Sequence, residues 1–172
     1  MTTLADEFGD GAVTAEDVVH LEHAIRLAAE ARARGDHPFG AIVVAPDGMV
    51  IEGLNSVVTQ PDPTGHAETN AVRAASAVLT ADALAASTLF TSTEPCAMCA
   101  GASYWAGIQR VVYALAEDEL IHIVGEQEGI PTMALPCREV FARGGRAVSV
   151  VGPVALPGAS AVHAGFWGEE TG

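Results

Sequence analysis

Two short stretches, His66-Ala67-Glu68 and Pro95-Cys96-Ala97-Met98-Cys99, constrain this chain more than any other feature. One imidazole and two thiols are three borderline or soft donors, the number a catalytic zinc uses when a fourth position is kept for water. They can share a metal only if the fold brings two distant segments to one point. Glu68, two residues past the histidine, is the acid such a water needs as a proton carrier. Cys96 and Cys99 stand at i and i+3, so on a helix they share one face. Pro95 suits the start of that helix. There the unpaired N–H groups and the helix dipole favour ionised sulfur. The prediction is two helix starts converging on one zinc ion per chain, bound by His66, Cys96 and Cys99, with Glu68 catalytic.

A structural zinc site normally takes four protein ligands. No fourth stands at matching spacing, and Cys137, which follows a proline in a separate segment, reads as a small buried core residue. A non-catalytic zinc-stabilised module is the reading from another class. Glu68 argues against it, since a structural site has no use for that acid.

In chain order, residues 1–13 form a flexible lead-in and residues 14–172 a single domain. Thr14 caps a first helix with Asp17 as its N3 acid, and Val18, Leu21, Ile25 and Ala28 recur at helical spacing as far as Arg34-Gly35. Ala41–Ala45 and Met49–Asn55 are strands joined by the Pro46-Asp47-Gly48 hairpin signal. The loop Gln60–Gly65 delivers His66 to a helix running to about Leu79. Ser87–Thr93 is a third strand, Cys96 to about Ala106 a helix, and Gln109–Leu115 a fourth strand. Ala116–Ile130 is acidic and shows no clean period. Cys137–Ala142 suggests a short helix, Arg146–Val151 a fifth strand, and Ala159–Trp167 a C-terminal helix. Helices alternating with apolar strands after an opening hairpin predict an α/β fold, a mixed five-stranded sheet between two helical layers.

Length and charge exclude several classes. A chain of 172 residues, 49% of them hydrophobic, is long enough to bury a full core. No apolar run approaches the roughly 20 residues of a membrane span, and the polar, acidic start lacks the order of a signal peptide, so the expected location is cytoplasmic. The net charge of -14 argues against nucleic acid as a partner. Every basic residue is arginine; Arg138, Arg143 and Arg146 lie close in sequence and read as solvated helix and turn residues.

These motifs resemble the cytidine-deaminase superfamily, and within it the nucleobase branch of bacterial guanine deaminases, then the tRNA adenosine deaminases. The resemblance runs from about Pro38 to Leu115. It includes Pro38-Phe39-Gly40-Ala41, Gly53-Leu54-Asn55, Asp62 to Glu68, and Thr93-Glu94-Pro95-Cys96-Ala97-Met98-Cys99-Ala100-Gly101-Ala102. It implies a three-layer α/β/α cytidine-deaminase-like fold and a zinc-dependent hydrolytic deaminase. The substrate would be a small amino-heterocycle of purine metabolism, a guanine-like base or a nucleoside. Asn55 then matches the residue that hydrogen-bonds the base, an amide offering both donor and acceptor. Ala67, Phe39 and Trp105 of the Tyr104-Trp105-Ala106 segment are further candidates for substrate contact. Members of the guanine branch form dimers and close the site with a C-terminal segment. That gives residues from about 155 to 172, with Phe166 and Trp167, a role as lid or dimer contact.

One stretch departs from the guanine pattern. Ala116 to Glu128 lacks the Phe-Asp-Asp and aromatic run found there, although one of its acids could serve as a second proton relay. A tRNA adenosine deaminase, or a deaminase of a cytosine-type, pterin or triazine ring, therefore remains an alternative.

Overall fold

A computed structural model describes residues 11–125 and 132–168. Most of the expected lead-in, residues 1–10, and the acids Glu126 and Glu128 lie outside the described residues. Helix α1 spans Ala15–Ala33 and begins with the expected capping box, Thr14 Oγ1 accepting from Asp17 N at 3.1 Å and Asp17 Oδ2 from Thr14 N at 3.0 Å. Strands β1 (Gly40–Val44) and β2 (Val50–Leu54) form the hairpin. Then come α2 (Ala67–Val78), α3 (Ala81–Ala85), β3 (Thr88–Thr93), α4 (Ala97–Ala106) and β4 (Arg110–Leu115). The chain continues through α5 (Glu117–Val124), α6 (Cys137–Ala142), β5 (Ser149–Val151) and α7 (Pro157–Ala161).

The five strands lie in the order β2-β1-β3-β4-β5. β1 runs antiparallel to both neighbours, while β3, β4 and β5 are parallel. Alternation along each strand splits the core in two. Ala41, Val43, Leu89 and Val111 face α2, α4 and α6 through Ala71, Ala100 and Phe141. Ile42, Phe90, Val112 and Val151 face α1 and the C-terminal segment through Leu21, Leu27 and Ala159. This is the expected three-layer α/β/α sandwich. No helix among the described residues is long and apolar enough to cross a membrane.

Glycines set the layer spacing at the two points that matter for the site. A Cβ on Gly53 of β2 would sit 2.1 Å from the Ala67 carbonyl, and one on Gly40 of β1 2.2 Å from that of Ala24. Helix α2 therefore rests its first turn directly on the β2 backbone, which fixes the height at which His66 and Glu68 emerge.

Three elements differ from expectation. α3 is an extra short helix, capped by Thr80 Oγ1 accepting from Ala83 N at 3.2 Å. α5 forms where no single period was legible because its apolar residues serve two surroundings. Leu120 and Ile123 pack on the α1-side core, while Ile121 and Val124 border a cleft that Leu120 also reaches. The C-terminal helix starts earlier than Ala159, with Pro157 at its first position, and stops by Val162. Beyond it the chain runs in turns, with Gly165 at φ +70.

Candidate zinc centre and active site

His66 and Cys96 occupy equivalent positions, the N-caps of α2 and α4, each with extended backbone and neither capping its own helix through its side chain. Both side chains are thus free to turn toward one another. His66 Nδ1 lies 3.6 Å from Cys96 Sγ and 3.5 Å from Cys99 Sγ, and the two sulfurs are 3.6 Å apart. A tetrahedral zinc with Zn–S of about 2.3 Å and Zn–N of about 2.0–2.1 Å spaces its ligands about 3.6–3.8 Å apart. The triangle in the structure fits that ion, and these three residues form a metal-competent cluster.

The proton chemistry of the donors points the same way. Cys96 is pulled down to about 4, chiefly by its hydrogen bond with Cys99 and, against burial, by His66. Cys99 is pushed well above its ordinary value by Cys96 and by burial. Two thiols this close cannot both ionise unless a cation lies between them. The Cys96 hydrogen bond raises His66, against burial. Glu68 stands behind the trio, 5% exposed. Burial first and the Cys96 thiolate second push its carboxyl up to about 7.

A cleft of about 480 Å³ opens over this cluster. His37, Phe39 and Trp167 supply aromatic lining, and α5 supplies Leu120, Ile121 and Val124. Glu94 and Glu117 bring two further carboxylates. Thr93 also lines it, its buried hydroxyl without a hydrogen-bond partner among the described residues.

The sequence candidates divide. His66, Cys96 and Glu68 line the cleft, with Cys99 buried beside them, and Phe39 and Trp167 join them there. Phe166 stands behind Trp167, edge-on at 4.9 Å and under the Arg32 guanidinium at 5.7 Å. Ala67 is fully buried in the α2-side core, outside the cleft lining. Asn55 is buried too; its Oδ1 accepts from Val57 N at 3.2 Å and its backbone N donates to the Phe39 carbonyl, so it shapes the loop beneath Phe39. Trp105, at the far end of α4 from Cys96, is 85% exposed, edge-on to Tyr104 and outside this chain's cleft lining.

The clustered arginines expected to be solvated divide: Arg143 is exposed, whereas Arg138 and Arg146 are half-buried. Arg138 donates to Tyr113 Oη and to the Val150 and Gly152 carbonyls, and Arg146 lies over the Tyr104 ring and donates to its carbonyl. Both pin elements together.

Sequence reasoning missed His37 and Glu94, and it pointed to an acid of the Ala116–Glu128 segment without singling out Glu117. Glu94 takes two helix starts at once, its Oε2 accepting from Glu117 N of α5 at 3.0 Å and its Oε1 from Cys137 N of α6 at 2.9 Å. A signal was available. In open α/β sheets ligands bind beyond the carboxyl ends of strands, and Glu94 and Glu117 are the first acids after β3 and β4.

The sequence matches the cytidine and deoxycytidylate deaminase zinc-binding region over residues 14–115. A probable cytosine deaminase of Schizosaccharomyces pombe is 38% identical over 152 residues, 88% of this chain and 93% of that protein. Guanine deaminase of Bacillus subtilis is 47% identical over 95 residues, 55% of this chain and 61% of that one. A solved structure in complex with 2,6-diaminopurine has a TM-score of 0.68 at 31% identity, covering 88% of this chain and 82% of its own. A match of that span, with one relative covered almost end to end, places the chain in the cytidine and deoxycytidylate deaminase zinc-binding family.

Proposed function

We propose that this zinc-dependent deaminase acts on a small free base of the guanine type, in which a ring N–H flanks the carbon that bears the amine. Glu117 carries this reading. Its carboxylate is half-buried in the cleft, with no hydrogen bond or ion pair among the described residues. Burial, then Cys96, Glu94 and Glu68, push it up to about 7. An unpartnered acid kept among other negative groups is costly, and a substrate N–H edge would satisfy it. A carboxylate accepts a ring N–H and the adjacent amine together. Guanine and isocytosine present that pair, whereas beside the amine-bearing carbon cytosine places an unprotonated nitrogen and a C–H, and adenine an unprotonated nitrogen and a ring-fusion carbon.

Zinc, when bound by His66, Cys96 and Cys99, supplies an ionised water at neutral pH. Glu68 would take one proton from that water for the unprotonated ring nitrogen and then pass the added hydroxyl's remaining proton to the amine, which leaves as ammonia while the C–N bond breaks and the C=O forms. Phe39 and Trp167 offer apolar faces to a flat ring. No arginine lines the cleft among the described residues, which disfavours phosphate-bearing substrates. A cytoplasmic homodimer acting in purine metabolism belongs to the same reading.

The S. pombe relative favours a second reading, a cytosine-type ring. Ammonia release by zinc-loaded protein from guanine, isocytosine, cytosine, adenosine and a tRNA anticodon stem-loop separates the two. Guanine or isocytosine should turn over fastest, and Glu117→Gln should cut that preference over cytosine about tenfold or more. Faster turnover of cytosine or of the stem-loop by the native protein overturns the assignment.

A further inference from the structure

Trp167 lines the cleft, yet no helix or strand holds it. The turns after α7 deliver it. What orients its ring is a single polar contact, Nε1 donating to His163 Nδ1 at 3.1 Å. The two rings lie within 15° of coplanar with centroids 6.1 Å apart, side by side as an in-plane hydrogen bond requires.

His163 is itself immobilised. It is 1% exposed and packs 5.3 Å from the Phe39 ring, and its neighbour Val162 is tied to α1 by Arg32 Nη1 donating to its carbonyl at 2.7 Å. An indole N–H can only donate, so Nδ1 carries the lone pair and the proton sits on Nε2. Nε2 is buried with no hydrogen-bond partner among the described residues. Burial and the Arg32 charge hold the ring neutral, pulling it down to about 4. A phenylalanine or leucine would fill the same space without stranding an N–H. The histidine brings one thing they lack, an acceptor aimed at Trp167.

We propose that His163 is a positioning residue, whose Nδ1 fixes the Trp167 indole as a wall of the cleft and so sets how tightly a flat base is held. The consequence for catalysis rests on the base-deaminase reading above; the pairing itself does not. With Trp167 locked at 6.0 Å and 51° to Phe39, the two rings present a fixed aromatic corner. Released, the turn would let Trp167 sample other orientations, weakening substrate binding while the zinc centre and Glu68 stay intact.

The pairing is tested first in the native protein, by indole N–H exchange. Trp167 should exchange at least about tenfold more slowly than the exposed Trp105, the two resonances being assigned with W105F. Equal exchange overturns the proposal without any His163 variant having to fold. Next, zinc-loaded H163F and H163Q are compared on the base that the native protein deaminates. H163F should raise KM about tenfold with kcat changed less than about threefold, the size expected for one neutral hydrogen bond and the order it imposes. Zinc content should not change. H163Q, whose amide oxygen can accept the indole N–H, should restore KM to within about threefold. In a W167F background the step from His163 to Phe should add less than about twofold. An unchanged KM in H163F, failure of H163Q to restore it, or an undiminished effect in W167F each overturns the proposal. Should the native protein deaminate no base at all, the functional reading fails, and the exchange measurement still decides the pairing.

Discussion

At the scale of single residues, the roles of the four central side chains can be separated by what each variant keeps. Cys96 is one vertex of the ligand triangle, so Cys96→Ala leaves two donors where three are needed. Metal analysis after dialysis should find zinc largely lost, and full occupancy would reject Cys96 as a ligand. Glu68 is buried next to the trio but forms no vertex of it. Glu68→Gln should therefore keep zinc and lose turnover by about a thousandfold, the worth of a positioned proton carrier. Near-native turnover with zinc present would remove Glu68 from the mechanism. These residues were legible in the sequence because metal chemistry limits which side chains can serve and at what spacing. Glu117 was legible only as one of several acids in its segment, and His163 not at all. A lone glutamate or histidine carries no spacing signal, and its meaning comes from what the fold does or does not place opposite it.

At the scale of elements, the regular segments followed from period and capping, and the misread ones explain themselves physically. Helix α1 had a capping box and one buried stripe, so both its start and its type could be read. Helix α5 had neither: its first N–H is capped by Glu94, from the loop just past β3, and its apolar residues face two directions. The turn between α1 and β1 depends in the same way on a distant partner. Asp36 is fully buried and accepts from Val58 N at 3.0 Å, Thr59 N at 2.9 Å and Thr59 Oγ1 at 2.7 Å. Burial alone would raise its carboxyl, but the Thr59 and Val58 bonds and the Arg34 charge together hold it below the ordinary value. A depressed pKa stabilises the fold above the unfolded-state value of about 3.9 and stops doing so as pH falls through the folded value. Asp36→Asn should therefore cost about 1–3 kcal/mol near neutral pH. Urea midpoints should show the gap from the native protein shrinking only below about pH 4. A gap that stays constant down to pH 3 would show that charge is not what Asp36 contributes.

At the scale of the whole molecule, five of the eight arginines are spent on contacts that tie segments together. Arg110 makes a two-pronged pair with Asp17, 2.9 Å in both contacts, joining the start of α1 to β4. Arg32, Arg34, Arg138 and Arg146 likewise donate to carbonyls or buried partners. With eight basic residues against 22 acids, the chain carries a net charge of -14, and the acids on the described surface find few arginines to pair with. Self-repulsion of that surface opposes the compact state and is long-ranged, so mobile ions screen it strongly. The internal arginine contacts are short and partly buried, and the same ions screen them far less. Added sodium chloride should thus remove more repulsion than attraction. For the zinc-loaded protein, Tm should rise by about 3–6 °C between low salt and 1 M, corresponding to about 1–2 kcal/mol in a domain of this size. Because screening depends on ionic strength and not on ion identity, potassium chloride should give the same curve. A Tm that falls with salt would mean that the arginine pairs, and not the uncompensated acids, dominate the electrostatics of this fold.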